Sequence, residues 1–178
     1  MRVSVFAALA AVATACGGAP TVPSDVPSPP DQVIREFRMD TYARGSLAWS
    51  LTAPEARVFD GPQRADLDRP EVRFFADEKP GSVVTAAHGE MNTRSRDMVA
   101  GGGVVIVSTE GARLETPWMR YDSQKDLLFS TAAVVITRGR SVVRGVGWSA
   151  RPDFSEMEVR RQRGEIAPED ERFFRQRP

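Results

Sequence analysis

Few residues of this chain could carry out chemistry, because it has one histidine and one cysteine. His88 lies in the stretch TAAHGEM, which predicts a strand and its turn, and no serine or cysteine is identifiable as its nucleophile. A surface or core histidine is therefore a better interpretation than a catalytic base. The lone Cys16 excludes a disulfide framework within the chain, and the usual Cys/His zinc sites are excluded with it.

Two further motifs could suggest a reaction. Asp66, Asp68 and Glu71, in ADLDRPE, could supply the carboxylate pair of a glycoside hydrolase, but a solvated loop explains the same residues. The glycines at 101–103 lack the lysine and the following helix of a phosphate-binding loop, so they predict a hairpin turn. We therefore predict no enzymatic activity, no cofactor and no metal.

The charge of the chain is balanced, with 24 basic and 24 acidic side chains. A net charge of zero gives no electrostatic reason to expect a polyanion as a general partner. The composition thus argues against binding to nucleic acid.

The N-terminus has the features of a secretory signal, since Arg2 is followed by an apolar stretch and by small residues at 13–15. The apolar segment is too short for a transmembrane helix, which needs roughly 20 residues. The small residues directly before Cys16 are similar to a bacterial lipobox, in which Cys16 is lipidated and becomes the mature N-terminus. The alternative is an ordinary signal peptide with an incidental cysteine.

Composition divides the chain after the signal at residues 1–15 into a spacer, a folded domain and a tail. Residues 16–32 are rich in proline, which is typical of a semi-extended spacer that holds a domain away from a membrane. Residues 33–166 form the folded domain. Residues 167–178 are expected to be disordered or to form a short helix.

Alternation of apolar and polar residues dominates the folded domain. In SLAWSLTA, Leu47, Trp49, Leu51 and Ala53 fall on one face, as a half-buried strand requires. Further candidate strands are REFRMD, ARVF, EVRFFA, SVVTAA, VVIVST, ARLET, LLFSTAAVVIT, SVVRGVGWSA and EMEVRR. Turn sequences separate these segments, so the spacing predicts an all-β sandwich, barrel or jelly roll.

A weak internal repeat accompanies the strands. An apolar, a polar and a small residue follow one another in the triplets Leu51 to Ala53, Val84 to Ala86, Leu114 to Thr116 and Val143 to Gly145. Seven residues after the first member of each triplet come Val58, Met91, Tyr121 and Ala150. A repeat of about 30 residues is typical of stacked supersecondary units, but so short a triplet also arises by chance in β proteins.

The order and spacing of these segments resemble the LptC family, the periplasmic component of the lipopolysaccharide export ABC transporter, and the related LptA/OstA β-jelly-roll domain. The stretches that carry the resemblance are GSLAWSLTAPEARVF, DLDRPEVRFF, SVVTAAHGEMN, DMVAGGGVVIVSTEGARLETPWMRYD and VVRGVGWSARPDF. They cover roughly residues 34–166. The chain departs from the family at its N-terminus, where a lipobox replaces the usual transmembrane helix.

The resemblance implies an open, twisted antiparallel β-jelly roll, whose two sheets enclose an apolar groove. In the family this groove receives the acyl chains of lipopolysaccharide from the inner-membrane ABC transporter subunits. It passes them to an LptA-like periplasmic protein, which docks by edge-strand addition. The protein is then periplasmic and anchored to a membrane through a lipid on Cys16, with the inner membrane favoured over the outer. The alternatives are a structural envelope lipoprotein that scaffolds other proteins and, more remotely, an enzyme built on a β-sandwich.

Large apolar side chains on the inward faces of the strands are the candidates for lining the groove. They are Leu47, Trp49, Leu51, Val72, Phe74, Val84, Val105, Val107, Leu114, Trp118, Phe129, Ile136 and Trp148. Any β-sandwich needs such a stripe, so a role in the core is the simpler interpretation of each residue taken alone. From Val104 to Val107 the inward face cannot be assigned, because all four residues are apolar.

By the same resemblance, the segment RPDFSEMEVRRQRGEI contains the edge strand that meets the partner. The candidate contact residues at this end are Gly145, Phe154, Met157, Val159, Arg160 and Arg161. Arg160, Arg161 and Arg163 are suited to phosphates of a lipopolysaccharide head group, but they could equally prevent uncontrolled pairing of the edge. Gly145 and Gly147 interrupt a strand, which indicates a bulge or a close approach of another backbone.

Overall fold

The computed structural model describes residues 28–76 and 78–174. The predicted signal peptide, the lipidation of Cys16 and most of the proline-rich spacer lie outside the described residues. Strands dominate the described part, which confirms the predicted all-β class. None of the helices in this part is long and apolar enough to cross a membrane.

Antiparallel strands follow one another along almost the whole described chain. They are β1 (Gln32–Ala43), β2 (Ser46–Phe59), β3 (Arg64–Asp68), β4 (Glu71–Ala76), β5 (Lys79–Thr85), β6 (His88–Asn92), β7 (Met98–Ser108), β8 (Arg113–Asp122), β9 (Leu127–Arg138), β10 (Ser141–Ala150), β11 (Met157–Val159) and β12 (Arg163–Glu165). A 3₁₀ turn (Pro168–Asp170) and a short helix, α1 (Glu171–Phe174), come last. Buried residues alternate with less buried ones in β3 and at the start of β4, as the sequence pattern predicts.

Each long strand contributes to two half-sheets, because the whole sheet folds over along one crease. β2 pairs with β3 through residues 55–59 and with β4 through residues 49–52. β7 likewise pairs with β6 through residues 98–101 and with β5 through residues 105–108. The strand order is β1–β2–β3–β6–β7–β8–β9–β10–β11 in half-sheet 1 and β1–β2–β4–β5–β7–β8–β9–β10–β12 in half-sheet 2. This is the predicted open jelly roll, with β1 at one edge and β11 and β12 at the other.

Two rows of inward-facing apolar side chains run across the half-sheets. Cross-strand pairing joins Val58, Ala65, Met91, Met98, Tyr121, Leu128, Ala150 and Met157 in half-sheet 1. It joins Met39, Leu51, Val72, Val84, Ile106, Leu114, Ile136 and Val143 in half-sheet 2. All of these side chains except Met39 and Val58 are buried, so the core lies between the two half-sheets.

The two rows meet in a closed core. The ring of Phe74, from half-sheet 2, packs edge to face on the ring of Tyr121, from half-sheet 1, with centroids 5.0 Å apart. An apolar void of about 20 Å³ remains where Val84, Met98 and Met119 converge. A water molecule needs about 10–15 Å³ of such space, so the void holds about one water molecule and has no room for an acyl chain. The jelly roll is therefore open at its edges but packed in its interior.

The sequence repeat corresponds to the crease. The first members of the triplets lie in the row of half-sheet 2, and the residues seven positions later lie in the row of half-sheet 1. In a regular strand, residues seven apart point to opposite faces. Each copy must therefore contain a break in alternation, which falls between Ala53 and Ala56 in β2 and between Thr116 and Met119 in β8.

Three local predictions are wrong. SLAWSLTA and ARVF form the single strand β2, bent at the crease, instead of two strands. Asp66 and Asp68, predicted in a loop, lie on β3, because pairing with both β2 and β6 outweighs the low strand propensity of aspartate. The glycines at 101–103 form a bulge within β7 instead of a hairpin turn, with φ of 77° at Gly102 and 93° at Gly103.

Of the two alternatives given for the charged tail, the structure shows the short helix, since Pro168 to Phe174 form the 3₁₀ turn and α1. The hydroxyl of Ser141 donates a hydrogen bond of 2.6 Å to Asp170 and accepts one of 2.9 Å from the backbone N–H of Ala167. Phe173 is buried, and the guanidinium of Arg138 lies 4.3 Å from its ring centre. These contacts dock the tail on the ends of β9 and β10.

Candidate functional site

Most of the predicted groove residues line the interior between the half-sheets. Those that are buried there are Trp49, Leu51, Val72, Phe74, Val84, Leu114, Ile136 and Trp148. Leu47 has the same strand parity at the start of β2 and is half-buried. These side chains form the walls of a closed apolar interior, which is not an open groove in this structure.

Val105 and Val107 lie on the outer face of β7, so their inward assignment is wrong. Val104 and Ile106 occupy the core instead, with exposures of 1% and 0%. Pairing fixes this choice, because Ile106 lies opposite the buried Val84 of β5. A run of four apolar residues has no alternation from which the face could be predicted.

Trp118 and Phe129 also lie on the outer face, contrary to prediction. Leu128 takes the inward position beside Phe129 and is completely buried, with 0% exposure. A break in alternation precedes Met119. Because Met119 and Tyr121 then point into the core, Trp118 points outward. Both aromatic rings are half-buried.

Trp118 and Phe129 line a shallow groove of about 710 Å³ on the outer face of half-sheet 1. Gly101 forms part of its floor, and the ring of His88 covers this glycine. A Cβ atom added to Gly101 would lie 2.7 Å from Nε2 of His88. His88 therefore packs against a backbone that only glycine leaves accessible.

The acidic residues considered for hydrolysis do not form a catalytic pair. Asp66, Asp68 and Glu71 each form an ion pair with an arginine one or two positions away, at N–O distances of 2.9, 3.3 and 2.7 Å. Each of these surface carboxylates is therefore already paired with an arginine. In the described part of the chain, no group of three or more His, Cys, Asp or Glu side chains could hold a metal ion.

Two polar groups lie within the apolar interior. The Tyr121 hydroxyl donates a hydrogen bond of 3.0 Å to Asp126, and burial, reinforced by the charge of Asp126, raises the pKa of Tyr121 above its usual range. The indole Nε1 of Trp148 is buried and has no hydrogen-bond partner among the described residues. An unsatisfied buried donor costs about 1–3 kcal/mol. The Trp148 indole N–H is therefore a donor without a partner in the described interior.

The C-terminal edge is formed by β11 in half-sheet 1 and by β12 in half-sheet 2. Met157 and Val159 lie on β11, and the exposed Arg160 and Arg161 follow it. Phe154 does not lie on the edge strand. Its side chain is 3% exposed in the turn between β10 and β11, where it belongs to the core, so its assignment as an edge contact is wrong.

Gly145 and Gly147 have the two roles predicted for glycines in this strand. A Cβ atom on Gly145 would overlap Val159 and lie 2.7 Å from the backbone oxygen of Arg160. Gly147 has φ of 80° and occupies a register shift between β10 and β9. The segment after β11 therefore packs directly on the backbone of β10.

Comparison with known families agrees with this architecture. The family described as "Lipopolysaccharide-assembly, LptC-related" matches residues 4–165. The chain belongs to the LptC family. It therefore has a role in lipopolysaccharide transport, and membership confirms the prediction of a transport component that is not an enzyme.

Among solved structures, this LptC-family chain is similar to LptH from Pseudomonas aeruginosa, described as the LptA homologous periplasmic component of the conserved lipopolysaccharide transport device. The TM-score is 0.54 at 9% sequence identity, and the alignment covers 67% of this chain and 95% of LptH. At this identity the similarity shows the fold alone. No curated protein sequence matches the chain significantly.

Some interior residues of this LptC-family chain were missing from the predicted groove. Met91 and Tyr121 belong to the sequence repeat, so treating the repeat as two facing rows would have placed them there. Met98 and Met119 border the small void and lie outside the repeat. Only the pairing of β7 with its neighbours brings them together.

Proposed function

We propose that this protein carries the acyl chains of lipopolysaccharide between its two half-sheets and passes them to the next periplasmic jelly roll. The observation that supports this best is the pair of facing apolar rows, which cross the sheet from near one edge to the other without a charged residue. Such a path holds lipid by affinity and needs no catalytic group.

The closed interior means that the half-sheets separate when lipid enters. Contacts between the rows are then replaced by contacts with acyl chains, and each buried methylene stabilises either state by about 0.8 kcal/mol. The net cost of the exchange is therefore small. Register shifts interrupt the pairing of β7, β8 and β10 at the crease, which makes the crease the natural hinge while each half-sheet keeps its hydrogen bonds.

The two open edges are where we place the partners. An LptA-like protein adds a strand at β11 or β12 and thereby continues the apolar rows. At the opposite edge, β1 exposes Val33, Ile34 and Tyr42 by 53%, 37% and 65%, and we assign this edge to the inner-membrane transporter subunits. We place the protein in the periplasm, attached to a membrane by a lipid on Cys16.

The proposal is tested by photo-crosslinking in cells that make lipopolysaccharide. A photoreactive amino acid at Phe74, which points into the interior from β4, should give lipopolysaccharide adducts. The same amino acid at Arg73, the exposed neighbour on the opposite face of β4, should give none. Absence of adducts at Phe74 in a folded and lipidated protein would overturn the proposal.

A second candidate function is that of a structural lipoprotein that only scaffolds other envelope proteins. The small interior void of about 20 Å³ favours it, because the interior is well packed without cargo. The crosslinking experiment separates the two functions. A scaffold gives no lipid adduct at Phe74 but still gives protein adducts at the exposed edges.

A further inference from the structure

Three arginines near the C-terminal edge, Arg144, Arg161 and Arg163, form no ion pair within the described residues. Arginines on most other strands pair with a nearby carboxylate. All three arginines are exposed to solvent. This edge therefore has uncompensated positive charge, although the formal net charge of the chain is zero.

The pairing of β10 with β12 places two of these charges side by side. Arg144 and Arg163 are direct cross-strand partners. The Cβ atoms of such partners lie about 5 Å apart, and like charges at this position destabilise a sheet. Glu165, two residues along β12, forms no ion pair with either arginine in the described structure. A bound anion would relieve this repulsion.

The three arginines border an open cavity of about 700 Å³. Gly145 and Gly164 also line it, and each packs closely against the backbone of a neighbouring segment. The volume falls within the range of about 300–1,000 Å³ that is typical of ligand sites. Val146, at the border of the same cavity, is 45% exposed.

We infer that Arg144, Arg161 and Arg163 bind the phosphate groups of the lipid head group when the cargo reaches the C-terminal edge. Guanidinium groups suit this role because they contact phosphate oxygens in a bidentate manner. Arg160, which the sequence placed in this group, pairs with Glu158 at 3.7 Å, and Arg144 takes its place. The inference rests on the proposed function, in which lipopolysaccharide is the cargo.

The competing explanation is that the arginines protect the edge against uncontrolled pairing. Replacing arginine by lysine distinguishes this explanation from phosphate binding. Protection requires only positive charge, whereas bidentate contact with phosphate requires the planar guanidinium, because an ammonium group binds phosphate only as a point charge. The test is therefore the double variant Arg144→Lys with Arg163→Lys in the full chain. Arg94→Lys is the matched control, since Arg94 is exposed on the turn before β7 and likewise forms no ion pair in the described structure.

Binding is measured with lipopolysaccharide and with the same lipid after enzymatic removal of its phosphates. The double variant should bind the phosphorylated lipid about tenfold more weakly than the wild type, because each ammonium group replaces the bidentate contact of a guanidinium with a single point-charge contact. Its affinity for the dephosphorylated lipid should not change, and the control should match the wild type with both lipids. Unchanged affinity of the double variant for the phosphorylated lipid overturns the arginine site.

The affinities of the wild-type protein for the two lipids distinguish this inference from the proposed function. Equal affinity for both lipids overturns the arginine site but leaves lipid transport intact. Binding of neither lipid overturns both. Inorganic pyrophosphate forms a third arm, and pyrophosphate that binds as tightly as the phosphorylated lipid would assign the site to free phosphate and overturn the head-group assignment.

Discussion

At the scale of single residues, we expect a change at Trp148 to affect lipid binding more than stability. Its buried indole Nε1 has no partner among the described residues, so Trp148→Phe removes an unsatisfied donor as well as some ring volume. These effects oppose each other, and we expect the free energy of unfolding without cargo to change by less than about 1 kcal/mol. Under the proposed function, affinity for lipopolysaccharide should fall about threefold to tenfold, because the variant lacks the donor that we assign to an acyl carbonyl. Chemical denaturation and calorimetric titration measure the two quantities.

Trp49→Phe is the control for this prediction. Trp49 is equally buried, but its indole interacts with the Tyr121 hydroxyl, so the same change breaks a satisfied contact. It should therefore destabilise the cargo-free protein more than Trp148→Phe does. Equal losses of stability in the two variants, with unchanged lipid affinity for Trp148→Phe, would contradict the role given to the Trp148 donor.

Residue-level prediction succeeded in segments that alternate without interruption, such as β4 and the part of β2 before its break at residues 53–56. In β2 and β4 the apolar parity of the sequence identified Trp49, Leu51 and Phe74 as inward-facing, and they are buried. It failed at Trp118 because a break in alternation reverses the parity of a strand, and such breaks depend on pairing between distant segments. Local sequence contains little information about them.

At the scale of elements, the attachment of the C-terminal edge depends on Gly145. Gly145→Ala places a Cβ atom into Val159 and near the backbone oxygen of Arg160, so the segment after β11 must move away from β10. We expect a loss of about 1–3 kcal/mol in the free energy of unfolding, which is typical of overpacking. Gly61→Ala is the matched control, because its Cβ atom meets nothing within 4 Å and should leave stability nearly unchanged. Equal stability of the two variants in urea denaturation would show that the edge does not pack on β10 in this way.

Most strands were predictable from alternation, but their division between half-sheets was not. The sequence repeat marks the crease, since its first and eighth residues lie in opposite rows. Without the pairing, a spacing of seven places two residues on one face of a helix or on opposite faces of a regular strand, so the bend could not be inferred. β3 and β12 were missed because they are short and polar and are held in place by their neighbours.

At the scale of the whole molecule, the family and the open jelly roll could be predicted, because the order of strands and turns extends over nearly the entire folded domain. The packed interior could not be predicted. It depends on the fit of side chains from two half-sheets, such as the rings of Phe74 and Tyr121, which are far apart in the sequence. In the proposed function, transport therefore requires the half-sheets to move apart, because the cargo and the core side chains would occupy the same space.

The three tryptophans test this motion, because they sample both faces of the sheet. Trp49 lies in the interior next to the β1 edge, Trp148 lies in the interior near the C-terminal edge, and Trp118 lies in the outer groove. In variants that retain one tryptophan each, with phenylalanine at the other two positions, lipopolysaccharide with brominated acyl chains should quench the fluorescence of Trp49 and Trp148 but not of Trp118. The unbrominated lipid serves as the control for environmental shifts, and circular dichroism verifies that each variant is folded. Quenching confined to Trp118 would instead place the acyl chains on the outer face and require the half-sheets to remain closed during transport.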